Sequence, residues 1–138
     1  MFSNIVVPVD LAHSESLEKA LGVSADLARH YGARVTYVSV ASAAPGKVAH
    51  TPEEFAEKLA RFAAAQGETR GIETGSHPEI SHDPAIDLDK TLLKAAEALG
   101  ADLIVMASHV PGLADYIWPS NGGSVAGHAK ASVMVVRG

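Results

Sequence analysis

The residues best suited to chemistry lie between Ser108 and Lys130, SHVPGLADYIWPSNGGSVAGHAK, flanked by two apolar runs, LIVMA and SVMVV. Ser120 or Asn121 suits a helix N-cap, and the next residues would present free backbone N–H groups where a helix dipole favours an anion. Gly122, Gly123 and Gly127 would each weaken that helix by about 1 kcal/mol relative to alanine, so their presence asks for close approach by a ligand or by another backbone. A phosphate cradle answers that demand; so does tight packing of a helix start on a sheet, and composition does not separate the two. Gly122, Ser124 and Ala126 also come close to a G-x-S-x-G nucleophile elbow, with His128 four residues beyond Ser124. An elbow needs its serine at a sharp turn directly after a strand, and the loop residues Pro119 and Asn121 stand in the way, so hydrolase chemistry is disfavoured.

The histidines carry less. His77 and His82 lie five residues apart on a strand-like segment, a spacing that sends them to opposite faces, and neither a cysteine nor a third ligand accompanies them. Solvated side chains are expected there, and surface histidines at His13 and His30. Standard phosphate fingerprints are missing: the chain has no G-x4-G-K-[ST], and no G-x-G-x-x-G after its first apolar run.

Bulk properties narrow the field further. At 138 residues the chain fits one domain, 1–138, that buries roughly two thirds of its unfolded surface. It has no cysteine, which removes disulfides, thiolate zinc sites and cysteine nucleophiles. Eleven Lys and Arg against sixteen Asp and Glu give a net charge of -5, without the basic cluster that nucleic acid requires. MFSNIVVPVD has no basic segment ahead of its apolar residues and soon meets Pro8 and Asp10, so neither a signal peptide nor a membrane span is expected. A cytoplasmic protein with no nucleic-acid or membrane partner is the expectation.

The elements that must position these residues are read from periodicity. NIVVPV (4–9) is a short β-branched run suited to a strand buried on both faces, with Asp10 at its carboxyl end. Leu17, Ala20, Leu21, Ser24, Leu27, Ala28 and Tyr31 recur at helical spacing, predicting a helix over 14–31 ended by Gly32. RVTYVSV (34–40) predicts a second strand, and SAAPGKVAH after it a loop. Thr51, Pro52, Glu53 and Glu54 form a capping box ahead of Phe55, Leu59 and Phe62. Gly67, Gly71 and Gly75 are expected to break the chain beyond this helix start. SHPEIS (76–81) can be a strand only at a sheet edge, because Pro78 donates no ladder bond. Asp83 and Pro84 open a helix with Leu88, Leu92, Ala95, Ala96 and Leu99 inward, ended by Gly100, and DLIVMA (102–107) is the fourth strand.

Strands alternating with helices imply an α/β fold, a parallel sheet with helices on both faces. In such sheets ligands bind outside the carboxyl ends of the strands, where the strand order reverses. If the first and fourth strands are neighbours, Asp10 faces Ala107, Ser108 and His109 across that crevice, with the GGSVAGHAK helix beyond.

With its pieces in this order the chain resembles the universal stress protein family over nearly its whole length. IVVPVD, the DPA before the third helix, GADLIVMASH and SNGGSVAGHAKASVMVVR carry the likeness. The resemblance implies a five-stranded parallel sheet of order 3-2-1-4-5, Rossmann-like and of the adenine nucleotide alpha hydrolase-like kind. ATP-binding members share a signature of two glycines, a spacer, and a glycine with Ser or Thr. Here Ala107 and Val110 occupy the first two glycine positions, and Pro119 precedes Ser120 where the third would stand. One branch looks like SH-x-P and then GSN, and Ser108, His109, Pro111, Tyr116, Ser120, Asn121, His128 and Ala129 match it. Val110 brings a branched side chain where glycine lets phosphate approach, and Pro119 removes a donor and fixes φ near -65°.

Carried over by that resemblance, Pro8, Val9 and Asp10 border adenine and ribose, and Val40 meets the adenine edge through its backbone. Met106 and Ala107 line the other side. Ser108 and His109 come next at the crevice, and Val110, Ser120, Asn121, Gly122 and Gly123 surround the phosphates. The expected function is a dimeric, adenine-nucleotide-binding stress-response protein taking ATP and, with it, Mg2+. Any ATP hydrolysis or autophosphorylation would be slow, since Asp10 is a lone carboxylate with no obvious base beside it. The competing expectation is a protein-interaction module whose pocket no longer binds nucleotide. In either case Ser132, Val133, Met134, Val135 and Val136 form an apolar edge strand, expected to pair with a second copy in a C2 homodimer.

Overall fold

A computed structural model of the chain describes residues 1–46, 48–108 and 121–137, with backbone alone for residues 84–86 and 121–124. Five parallel strands form one sheet in the order β3-β2-β1-β4-β5, where β1 is Asn4–Pro8, β2 Arg34–Ser42, β3 Thr74–Ser81, β4 Leu103–Ala107 and β5 Ser132–Val136. Helices α1 (Glu18–Tyr31), α2 (Pro52–Arg70), α3 (Pro84–Ala98) and α4 (Asn121–His128) connect them. The expected order and parallel sense are therefore those observed.

Alternation along the central strands divides the core in two, because successive side chains point to opposite faces. Ile5, Val7, Val35, Tyr37 and Val105 pack on one face with Leu21 and Ala28 of α1 and Leu59 and Ala63 of α2. Val6, Val38, Ile104 and Met106 pack on the other with Leu88, Leu92, Ala95 and Ala96 of α3 and Val125 of α4. Burial on both sides explains why β1 and β4 read as continuous apolar runs.

The local stops mostly fall where the residue types require them. Gly32 and Gly71 close α1 and α2 at φ 67° and 66°, the left-handed region that glycine adopts at low cost. Pro78 lies on β3, at the sheet edge as its missing donor demands. Thr51 Oγ1 accepts from Glu54 N at 3.1 Å, while the reciprocal carboxylate bond goes to His50 N at 3.3 Å rather than to Thr51.

Two expectations are corrected. The helix anticipated from Ser14 begins instead as a 3₁₀ segment, Leu11–Leu17, kinked at His13, and becomes α-helical only at Glu18. The cause is Asp10, whose Oδ1 accepts from Ala12 N at 3.0 Å and starts a tighter turn directly after β1. Of the three glycines expected to break the chain, only Gly71 makes a stop: Gly67 lies inside α2, which runs on to Arg70, and Gly75 lies inside β3. A Cβ at Gly67 would stand 2.6 Å from Thr74 Oγ1 and 3.1 Å from Ile72 O, so this glycine admits the start of β3 against the helix.

A long-range tie closes the amino-terminal ends of the strands. The Asp102 carboxylate accepts from Ser3 N at 2.8 Å and from Asn4 N at 3.0 Å, clamping β1 to the start of β4. That tie fixes β1 beside β4 at the centre of the sheet.

Candidate functional site

Where β1 and β2 end, a cavity of about 280 Å³ opens. Asp10, Leu11 and Ala12 supply one wall, Ser39 to Ser42 the floor, and Ala44, Pro45, Gly46, Val48 and Ala49 with Phe55 of α2 the opposite wall. The sequence predicts a loop after β2 but does not assign it to the site. The signal is there nonetheless, since that loop leaves the carboxyl end of a strand beside β1, where an α/β sheet places ligands.

The loop is fastened to the first turns of α2. Gly46 N donates to Ala49 O at 2.9 Å, and Ala44 N to Ser42 Oγ at 3.1 Å. Lys58 Nζ donates to Val48 O and pairs with Glu54 at 3.3 Å. The His50 N–H donating to Glu54, and secondarily Lys58 beside it, hold that carboxyl below its usual pKa.

The backbone of β2 supplies the directional polar groups. Val9 N donates to Val38 O at 2.8 Å, so Val38 faces β1. Two residues on, the strand repeat turns the N–H and C=O of Val40 to the same side, past the point where β1 has left the ladder. A flat heterocycle with a donor and an acceptor on one edge is the chemical match for such a pair.

Asp10 is less available than its position suggests. Besides the Ala12 N–H on Oδ1, its Oδ2 lies 3.1 Å from His13 Nδ1, and the side chain is only 14% exposed. The sequence suggests a surface histidine at His13, and only the 3₁₀ turn brings it back onto Asp10. Of the other histidines expected to be solvated, His77 has Nε2 2.7 Å from Glu79 Oε1, while His82 and His30 are exposed. Among the described residues no group of three or more His, Asp or Glu could hold a metal ion.

The anticipated site residues are spread around this crevice. Asp10 and Val40 line the same cavity. Pro8, Val9 and Met106 are buried and are not among the residues that line it, and Ala107 and Ser108 lie at the carboxyl end of β4, on the other side of β1 from β2, with Ala107 half-buried. His109, Val110 and Ser120 fall outside the described residues, as do Pro111, Tyr116 and Pro119. Asn121, Gly122 and Gly123 are the first residues of α4. Ser124 lies inside that helix rather than at a turn, so the nucleophile-elbow geometry is not formed.

A five-stranded parallel sheet of order β3-β2-β1-β4-β5 with a cavity at the carboxyl ends of β1 and β2 is, as a class, a Rossmann-like doubly wound α/β domain. Residues 1–137 match the universal stress protein family, and the chain belongs to it. It is 29% identical over 146 residues to universal stress protein G of Escherichia coli O157:H7, covering 99% of this chain and 100% of that protein. Among solved structures, a universal stress protein in complex with cAMP superposes with a TM-score of 0.71 at 17% identity, covering 98% of this chain and 97% of the other. The universal stress protein from Archaeoglobus fulgidus in complex with dAMP gives 0.66 at 23% identity, covering 96% of each. No helix among the described residues is long and apolar enough to cross a membrane.

Proposed function

We propose that this chain binds an adenine nucleotide at the crevice and acts as a cytoplasmic, homodimeric stress-response protein. The observation that carries the reading is the cavity of about 280 Å³ between Asp10 and the outward-turned backbone of Val40. Its volume is near the lower end for small-molecule sites, about 300–1,000 Å³, and suits a base with part of its ribose. Val40 reads the base edge through its N–H and C=O, and Asp10 borders the ribose with Pro8 and Val9 beneath. Met106 and Ala107 close the far side, with Ser108 and His109 next in the chain. The phosphates extend toward Val110, Ser120, Asn121, Gly122 and Gly123, where the start of α4 directs its dipole. The nucleotides bound by the two solved relatives support the ligand class.

Among the described residues Mg2+ finds no ready site, since both Asp10 oxygens are engaged and no cluster of three ligands stands there. Any such ion arrives with the triphosphate. The homodimer uses Ser132, Val133, Met134, Val135 and Val136 of β5, an edge strand on which Met134 and Val135 are 38% and 39% exposed.

The test is calorimetric titration with AMP and with ATP and magnesium, beside the absorbance of any nucleotide released on denaturing the purified protein. Ala12→Trp, at an exposed position lining the cavity, should abolish binding while leaving the melting temperature near that of the parent. Absence of both retained nucleotide and binding heat at millimolar concentration would refute nucleotide binding and leave the dimeric interaction module.

A further inference from the structure

A second cavity, of about 210 Å³, lies at the opposite end of the sheet, where Ala101 precedes β4 and Ala131 precedes β5. Leu93 and Ala96 of α3, Ile104 of β4 and Ala129 after α4 complete its apolar lining. Four of these six positions are alanines, drawn from α3, from the connection before β4 and from the connection before β5. Their methyl groups leave open a space that a close-packed domain ordinarily fills with larger side chains.

The polar groups at this cavity are Glu97, Lys130 and His128. Glu97 stands in the last turn of α3, which has no basic residue there. An acid at that end opposes the helix dipole, and the carboxyl end of α4 adds partial negative charge nearby. Lys130 Nζ meets Glu97 Oε1 at 3.2 Å, but the two side chains are 85% and 68% exposed. A pair so open to water is weak and readily exchanged.

We propose that this cavity is a binding site for a small primary amine with a compact hydrocarbon body, separate from the nucleotide crevice. The ligand's ammonium replaces Lys130 at Glu97, and its hydrocarbon covers the alanine methyls and the sides of Leu93 and Ile104. A short anion is disfavoured by Glu97 and by the two helix ends. A neutral molecule of the same shape gains the apolar contact alone.

The experiment is a proton–nitrogen NMR titration of the full chain with cyclohexylamine, and in parallel with cyclohexanol. Cyclohexylamine should shift the amides of Ala96, Ala101, Ala129 and Ala131 saturably, with about threefold or greater preference over the alcohol, the scale of one exposed ion pair. Glu97→Gln should erase that preference, Lys130→Ala should strengthen amine binding, and Ala131→Leu should block both ligands. Non-saturable shifts, equal affinity for amine and alcohol, or unchanged preference in Glu97→Gln would each overturn the proposal. Saturating AMP leaves the expected shifts in place, so the outcome is independent of nucleotide binding.

Discussion

Replacing Tyr37 with phenylalanine should stabilise the protein. Tyr37 is fully buried in β2, its ring edge-on to Phe62 at 5.3 Å between centroids, and its hydroxyl finds no hydrogen-bond partner among the described residues. The nearest influential cation, Arg70, is held by Glu18 at 2.6 Å and Gln66 at 2.7 Å. Burial pushes the phenol pKa from 10.0 up to about 12, against a smaller opposing pull from Arg70. Phenylalanine keeps the ring contact and removes a desolvated polar atom with no bond to lose, a gain of about 1 kcal/mol. That raises the melting temperature of a domain this size by about 4 °C. The pH dependence supplies an independent check. A phenol with a raised pKa in the fold contributes stability that is complete below pH 10 and is lost as pH rises toward 12. The loss amounts to about 2–3 kcal/mol over that window, and Tyr37→Phe should lack it. Urea unfolding of both proteins at neutral pH and up to pH 11 measures both effects. Destabilisation of the variant by more than about 1 kcal/mol at neutral pH, or an identical alkaline slope, would refute the reasoning.

On the proposed homodimer, the parent protein should sediment as a dimer and Met134→Lys, which places a charge on an exposed position of β5, as a monomer; a dimer unchanged by the substitution, or a monomeric parent, would remove that strand from the proposed interface. Asp102→Ala removes the acceptor of two backbone N–H groups and should lower stability by about 1–3 kcal/mol in chemical unfolding, with faster amide exchange at Ser3 and Asn4. The Glu54 carboxyl should titrate below its ordinary value by carbon-detected NMR. Lys58→Met should return it only part of the way, because the His50 N–H is the larger cause.

Much of the fold is legible in the sequence because its determinants are local. The β-branched runs of β1 and β4, the helical spacing of Leu88, Leu92, Ala95 and Ala96, and the stops at Gly32 and Gly71 depend on residues a few positions apart. Pro78 even predicts its place in the sheet, because a missing donor has one sterically and energetically cheap location. Gly67 misleads for the converse reason. Its role is set by Thr74 and Ile72, which reach it only after the chain turns back along the helix.

The sequence by itself determined the order of strands and helices, the two-sided burial of the central strands, and the family. Each rests on hydrophobic period, turn chemistry or motif order, which survive without knowing what packs on what. Only the tertiary structure decided that the loop after β2 walls a cavity, that His13 folds back onto Asp10, and that alanines of α3 and of the connections before β4 and β5 line a second one. Cavities and carboxylate partners arise where distant segments meet, and the distance between such segments is a property of packing that no local pattern records.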